Sequence, residues 1–479
     1  MEVGVIHTNS VSTWINSEFL NVDFGDKRLD ERFKKISIGL SEQSEKNISS
    51  SFNSWKEIKA CYRFFSNEMV TAEKMLQPHK MRTVDRIKEC SRVLLIQDTL
   101  VLSYSNRPQT KNLGLCSKHY SSSTPAKGLI SHGLLAISDK GVPLGVLGQK
   151  FVDRKTFKEN GRLTKQQYQR LPIEKKESIK WVELIKECTT YDFGKTQTIH
   201  VADREGDIYE LYRDCLYWNE NFLIRASHNR RINKKNRRSE TDEKLFEVLE
   251  NCRSRGTLSV KVASSQIGRK YREAKLSIVY KVFSMPPPPN RTKNNCNNNM
   301  PMLEVTAIMA VEKKPPKGET QLRWVLLTNL PVNSFEEAVD KVKLYSMRWN
   351  IELLHKIIKS GFNVEKAQLR DANNLKKYAV LTFILAWRIF WITRYFEQEK
   401  EKSCEKVLNE YEWKILYKKF NRNKPIPNVP PSIKDVYIWI AKLGGFIGRK
   451  GDGNPGIVSM WRGWNRFIDL LDDYKLFCG

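Results

Sequence analysis

Two stretches, Val93-Leu94-Leu95-Ile96-Gln97-Asp98 and Thr198-Ile199-His200-Val201-Ala202-Asp203, decide the fold. Each is a short, nearly continuous apolar run closed by a carboxylate, the pattern of a strand buried on both faces. Helical patterns over 178–188, 208–216 and 242–252 alternate with these runs and with a strand over 222–226. Strands alternating with helices predict an α/β layer. Further strands over 133–138 and 142–152 are joined by a hairpin-type turn at Asp139-Lys140-Gly141. On this reading Asp98 and Asp203 both stand at strand ends, where a side chain leaves the sheet.

Outward from this layer the period changes twice. Residues 1–75 read as helical, with a turn at Phe24-Gly25-Asp26 leading into the charged run Lys27-Arg28-Leu29-Asp30-Glu31-Arg32, and a second helix over 55–65. From about 257 to 330 the period is two: Leu258, Val260 and Val262, then Ala274, Leu276, Ile278, Tyr280 and Val282, alternate with polar residues. Strands over 303–311 and 324–328 complete a β-rich insertion. Pro286–Pro289 and an Asn-rich run, in which six of residues 290–299 are Asn, interrupt it as an expected mobile loop. After Pro331 the chain is helical: Ser334-x-x-Glu337 opens a long helix as a capping box, and helices follow over 376–400 and 432–443. A last helix carries Ile457, Met460, Trp461, Trp464, Ile468 and Leu471 on one stripe.

The chain has 479 residues, with 82 Lys+Arg against 54 Asp+Glu, a net charge of +28. That excess points to a polyanionic partner. Unbroken apolar stretches fall far short of the ~20 residues that span a bilayer, and no leader pattern opens the chain, so a cytoplasmic protein with no membrane partner is expected. Nine cysteines, an odd number without a C-x-x-C pair, exclude a disulfide scaffold or a structural zinc site.

The third acid is Glu352. Along a helix, Tyr345, Arg348, Glu352 and Lys359 fall at roughly 0, −60, −20 and −40°, hence on one face. On a surface helix such a stripe is ordinarily an ion-pair ladder. Joined to two strand-end aspartates it suits other chemistry. Hard divalent cations take carboxylate oxygens, and two of them about 3.5–4 Å apart activate the attacking and stabilise the leaving oxygen of a phosphodiester. Arg348 and Lys359 are suited to hold the phosphate backbone. Seven Lys/Arg and no acid between Arg225 and Arg238 form either a phosphate track or simply an exposed loop.

Asp98 in Ile96-Gln97-Asp98-Thr99, Asp203 in Ala202-Asp203-Arg204-Glu205-Gly206-Asp207, and Y-x2-R-x3-E-x6-K at 345–359 together resemble the DDE transposases of the bacterial insertion-sequence-four family. The likeness extends to Pro315–Thr320 followed by Trp324–Thr328, to Leu443-Gly444-Gly445-Phe446 and to Trp461-x-x-Trp464, and so covers nearly the whole chain. It implies an α/β fold with a ribonuclease-H-like catalytic core (76–375) carrying a β insertion at about 255–330. An N-terminal helical DNA end-recognition domain (1–75) and a C-terminal helical dimerisation domain (376–479) flank that core.

The resemblance further implies that Asp98, Asp203 and Glu352 are catalytic and ligate two Mg²⁺, with Mn²⁺ as substitute. The reaction implied is cut-and-paste: a nick at the element end, attack of the freed 3′ hydroxyl to form a hairpin, hairpin opening, and joining to target DNA. Trp324 becomes the stacking partner of a flipped base, where the residues alone read equally as a core aromatic. Tyr345, Arg348 and Lys359 become phosphate contacts, with Arg225, Arg230 and Arg231 from the basic run and Lys27, Arg28 and Arg32 from the N-terminal domain. Ser227 stands where the family can have a basic residue, and Leu353 where a relative has a second acid. The implied partners are double-stranded DNA (terminal inverted repeats and target) and a second copy in a synaptic complex, in the bacterial nucleoid. Two other readings remain at this stage: a ribonuclease-H-like nuclease or resolvase without strand transfer, and a DNA-binding protein with a decayed core.

Overall fold

The computed structural model describes residues 11–42, 48–52, 54–116, 126–154, 163–232, 243–263, 271–288, 300–449 and 452–478. Its centre is one sheet built from β1 (Arg92–Ser103), β2 (Gly114–Leu115), β3 (Lys127–Ser138), β4 (Pro143–Val152), β5 (Gln197–Ala202), β6 (Asn221–Arg225), β7 (Gly256–Ala263), β8 (Tyr271–Met285), β9 (Leu303–Glu312) and β10 (Arg323–Thr328). The order is β2-β3-β1-β5-β6-β10-β9-β8-β7, with β4 also paired to β3. β1, β5 and β6 run parallel, and the other pairings are antiparallel. The period-two strands are therefore not a separate body. β10 pairs with β6 (Leu327 opposite Ile224) and carries the sheet outward.

Side-chain alternation sorts the two faces of the sheet. On β6, Leu223 enters a large core shared with the terminal helices, while Phe222 and Ile224 enter a second core with Trp181, Tyr209 and Tyr212. On β9, Ile308 and Ala310 join the first core, and Ala307 and Met309 the second. Helices Ile179–Cys188 and Tyr209–Tyr217 cover the second face. Helix Ala72–Lys88, which the sequence pattern does not single out, lies on β4, where Gly145 leaves no room for a Cβ against Thr83.

The N-terminal helices Val11–Glu18, Lys27–Glu42 and Trp55–Ser66 enclose Phe19, Phe24, Phe33 and Phe64. Their core runs on into the rest of the protein through Phe65 against Tyr378 (5.8 Å) and Trp14 against Trp387 (6.5 Å). Helix Ala372–Gln398 has the length and overall composition of a membrane span, but 89% of its apolar window is inside the protein. An all-round apolar helix of this kind is a core helix.

Along the C-terminal stripe, Met460, Trp461 and Leu471 are buried within their own chain, and Ile457, Trp464 and Ile468 are partly buried against the same core. Helices Ile433–Leu443 and Ile457–Cys478 approach so closely that a Cβ on Gly463 would lie 1.7 Å from the Ile440 carbonyl oxygen. The Asn-rich segment from 289 to 299, and the Lys234–Arg238 half of the basic run, lie outside the described residues.

Candidate active site

Register explains how two acids about a hundred residues apart become neighbours. β1 and β5 pair in parallel only as far as Ile96 opposite Val201. Asp98 and Asp203 each lie two residues past that pair, and a shift of two keeps both on the same face of the pleat. Asp98 is not at a strand end, however: β1 continues to Ser103 along β3. It is β5 that stops, at Ala202, and that stop opens the space beside Asp98. Asp203 caps the short turn Arg204–Gly206 by accepting from the Glu205 N–H at 2.8 Å.

Glu352 arrives from a helix that is not continuous. Helix Phe335–Ser346 ends in a tightened turn, with i to i−3 hydrogen bonds at Met347, Arg348 and Asn350, before helix Trp349–Lys356 resumes and passes into a π turn at Ile357–Gly361. The straight one-face stripe is therefore broken. Arg348 and Glu352 still share a field with Asp98, and Tyr345 lies beside Arg348 and Asp203, while Lys359 turns to Glu365 at 3.5 Å. The opening cap is likewise half of what was expected: Ser334 accepts from the Glu337 N–H, but Glu337 accepts from Asn333 instead.

Arg348 is the local counter-charge. Its guanidinium lies 2.5 Å from a Glu352 oxygen and 3.8 Å from Asp98 Oδ2. Burial pushes the Asp98 carboxyl up to about 6, against the Thr99 N–H that favours the anion; Asp203 and Glu352 raise it further, and Arg348 lowers it. The three acids share one electrostatic field, but among the described residues no three His, Cys, Asp or Glu groups are grouped closely enough to hold a metal ion. By chemistry the three carboxylates are oxygen donors of the kind a hard cation takes, and Asp203 and Glu352 both raise the Asp98 carboxyl, but their positions here do not form a shared coordination site.

The shift carries a pH prediction. Asp98 titrates near the ordinary carboxylate value when unfolded and near 6 when folded. Its charge therefore costs stability increasingly as pH rises between these values, and the full cost is present above them. Asp98→Asn is expected to stabilise the metal-free protein by about 1–3 kcal/mol at pH 7, and the gain should vanish below about pH 4. Thermal unfolding across pH, with chelator present, checks this; a gain that persists at pH 3 would refute the electrostatic origin.

Tyr345 is buried and meets Trp324 edge to face, with ring centroids 5.8 Å apart. Arg225 ends β6 beside Tyr345 and Arg348, and donates to the Arg323 carbonyl at 3.0 Å. Arg230 is turned inward, its guanidinium paired with Asp207 and lying over Tyr212. Arg231 is exposed. In the N-terminal helices, Lys27 and Arg28 are exposed, with Arg28 folded back on Asp26 at 2.8 Å, and Arg32 is half-buried. Helix Trp55–Ser66 presents Trp55, Lys59 and Arg63 to solvent, a basic and aromatic face that the sequence pattern alone does not assign.

Sequence reasoning also missed His355, one helical turn beyond Glu352. Its Nδ1 lies 4.0 Å from Asp98 Oδ2, and burial, aided by Lys359 and Arg348, lowers it to about 3. An i,i+3 reading from Glu352 is the signal that could have found it.

Two family models match the chain. Residues 11–70 match the one described as Transposase DNA-binding, and residues 384–474 match the Transposase Tn5 dimerisation domain. A DNA-binding unit at one end and a self-association unit at the other support DNA binding and homodimer formation. In this pair of terminal domains the chain is similar to Tn5-type transposases.

Proposed function

We propose that the chain is a DDE transposase of the insertion-sequence-four type, which cuts DNA at the terminal inverted repeats of its element, passes through a hairpin, and joins the freed ends to target DNA. The observation that carries this reading is the parallel register that sets Asp98 beside Asp203, with Glu352 reaching the same field from the helix across. The sheet half β4-β3-β1-β5-β6, with only β3 antiparallel to its two neighbours, supports a ribonuclease-H-like core. We take that core and its β insertion as 76–375, between an end-recognition domain over 1–75 and a dimerisation domain over 376–479.

Asp98, Asp203 and Glu352 would hold two Mg²⁺ (or Mn²⁺), which supply Lewis acidity to a phosphodiester and a deprotonated attacking oxygen. Before DNA arrives, Arg348 neutralises Glu352 and shields Asp98. When a phosphate enters, Arg348 is free to exchange a carboxylate for it, and Arg225 and Tyr345 flank the same position. Trp324, half-buried against Tyr345, is the ring on which an unstacked base would stack. Lys27, Arg28, Arg32 and Arg231 neutralise backbone charge farther out, with Lys359 once released from Glu365. On this reading the protein works on the bacterial nucleoid.

A supercoiled plasmid carrying the element's ends, incubated with protein and Mg²⁺, tests the reading. Hairpinned ends and insertion products are expected. Cuts without joining would indicate a nuclease, and a gel shift without cutting a decayed binder. Trp324→Ala is expected to lower hairpin formation on the order of tenfold more than the first nick, from a stacking loss of about 1–3 kcal/mol. Equal loss of both steps in a time course would count against stacking.

A further inference from the structure

Asp207 lies four residues beyond Asp203, at the end of the same turn, and is buried at the entrance of the basic run. Its carboxylate is saturated with donors. Oδ2 accepts from the Ser227 N–H at 2.7 Å, the Ser227 hydroxyl at 3.1 Å and the His228 N–H at 3.0 Å. Oδ1 accepts from the Tyr212 hydroxyl at 2.6 Å and pairs with the Arg230 guanidinium, which also donates to the Asp207 carbonyl at 2.7 Å. Four of these donors come from 227–230, the residues that directly follow Arg225 where β6 ends.

This arrangement ties two parts of the molecule together. Backbone hydrogen bonds from Gly206 to the Asp203 carbonyl and from Asp207 to the Arg204 carbonyl fix Asp207 to the turn that starts at Asp203. Its carboxylate in turn fixes the chain leaving β6. Arg225 is held on one side by its strand pairing with Leu326 and on the other by this clamp, and its guanidinium comes to rest beside Tyr345 and Arg348. A loop that carries like charges spreads unless something holds it. Here the buried Asp207 carboxylate holds the start of the loop, with Arg230 as part of the clamp, while backbone bonds of Arg230 with Leu245 and Ile232 with Glu243 hold it farther on.

We propose that Asp207 is a positioning residue, a buried clamp that sets the start of the basic loop, and with it Arg225, at a fixed offset from Asp203. This rests on the proposed reading that Asp203 belongs to the reactive centre and that Arg225 meets a phosphate. It adds a division of labour within the basic run: Arg230 serves the fold, and Arg225 and Arg231 serve the DNA. Reacting groups displaced by about 1 Å can lose on the order of 100-fold in rate, so loosening the clamp acts on chemistry as well as on binding.

The test compares the full-length protein with Asp207→Asn, which keeps the shape and removes the charge. End-DNA affinity is measured against salt concentration without metal, and plasmid cleavage with Mg²⁺, at a temperature where circular dichroism shows both proteins folded. The clamp predicts cleavage lower by roughly 100-fold and a log–log salt slope shallower by about one to two, at about 0.9 for each phosphate no longer neutralised. A folded variant whose salt slope equals that of the wild type would overturn the proposal, since a purely structural Asp207 lowers the melting temperature and leaves the slope unchanged.

Should Asp207→Asn not fold, Ser227→Ala combined with Arg230→Gln removes the two loop side chains that donate to Asp207 and leaves it the Tyr212 hydroxyl and the Ser227 and His228 N–H groups. The slope should then be shallower than wild type, and an unchanged slope there also overturns the clamp. Asp203→Ala separates the two ideas: it should abolish cleavage with the slope intact. If the wild type itself fails to cleave, the transposase chemistry is refuted, while the metal-free slopes still decide the clamp.

Discussion

Alanine at any one of Asp98, Asp203 or Glu352 is expected to abolish strand cleavage, by on the order of 10³-fold or more, while end binding stays within about threefold. The asymmetry follows from where the groups sit. The acids lie at the end of β5 and on the helix across from it, whereas the exposed cations and the match to a transposase DNA-binding domain lie elsewhere, over 11–70. On the proposed reading, removing an acid takes away a cation ligand and leaves the phosphate-binding groups in place. At Asp98 the change also removes, in the metal-free state, a charge that burial disfavours. The three variants should therefore show normal gel shifts and no Mg²⁺-dependent rise in melting temperature, with an equal or higher melting temperature without metal for Asp98→Ala. Substantial residual cleavage by any one of them would contradict the assignment.

The second large effect is on stability. Glu18 is buried at the end of the first helix and accepts from both terminal nitrogens of Arg86 at 3.0 Å. His79 Nε2 accepts from the Val146 N–H at 2.9 Å, so its Nδ1 carries the proton and donates to Glu18. Burial alone would raise the Glu18 carboxyl; Arg86 and His79 instead hold it far below the usual carboxylate range. Arg388, buried between Trp14 and Trp391, lies in the same field.

Glu18→Ala leaves two buried guanidinium groups with no anion, a change that costs about 3–5 kcal/mol. Urea unfolding followed by tryptophan fluorescence should show it. Glu18→Leu with Arg86→Met should recover much of the loss, because apolar replacement of both partners removes the desolvation penalty that a single substitution exposes. The sign with pH follows from the depressed carboxyl: its contribution is present above the ordinary Glu value and is lost as pH falls below it. A single variant within about 1 kcal/mol of wild type would mean that the network contributes nothing net.

The mutated helix belongs to the DNA-binding domain, and Arg86 and Arg388 do not. That domain is therefore joined to the rest by buried charge as well as by the ring contacts of Phe65 and Trp14. Segment by segment the chain reads as three units, but packing makes one core of them. Composition shifts mark where sequence patterns change, and a core is free to ignore them.

The amino-acid sequence by itself determined the layer type, the hairpin at Asp139–Gly141 and nearly every strand of the sheet, because burial on one or two faces imposes a period that neighbouring residues must obey. Tertiary structure alone decided which acids act on one another. Whether Asp98 faces Asp203 depends on parallel register and on where β5 stops, and neither is encoded in local spacing. It alone decided that the helix bearing Glu352 breaks at Met347, that the insertion strands extend the central sheet, and that the tryptophan stripe of the last helix is spent on its own chain. Each of these is set by contacts between residues far apart in the polymer, whose energies no local window contains.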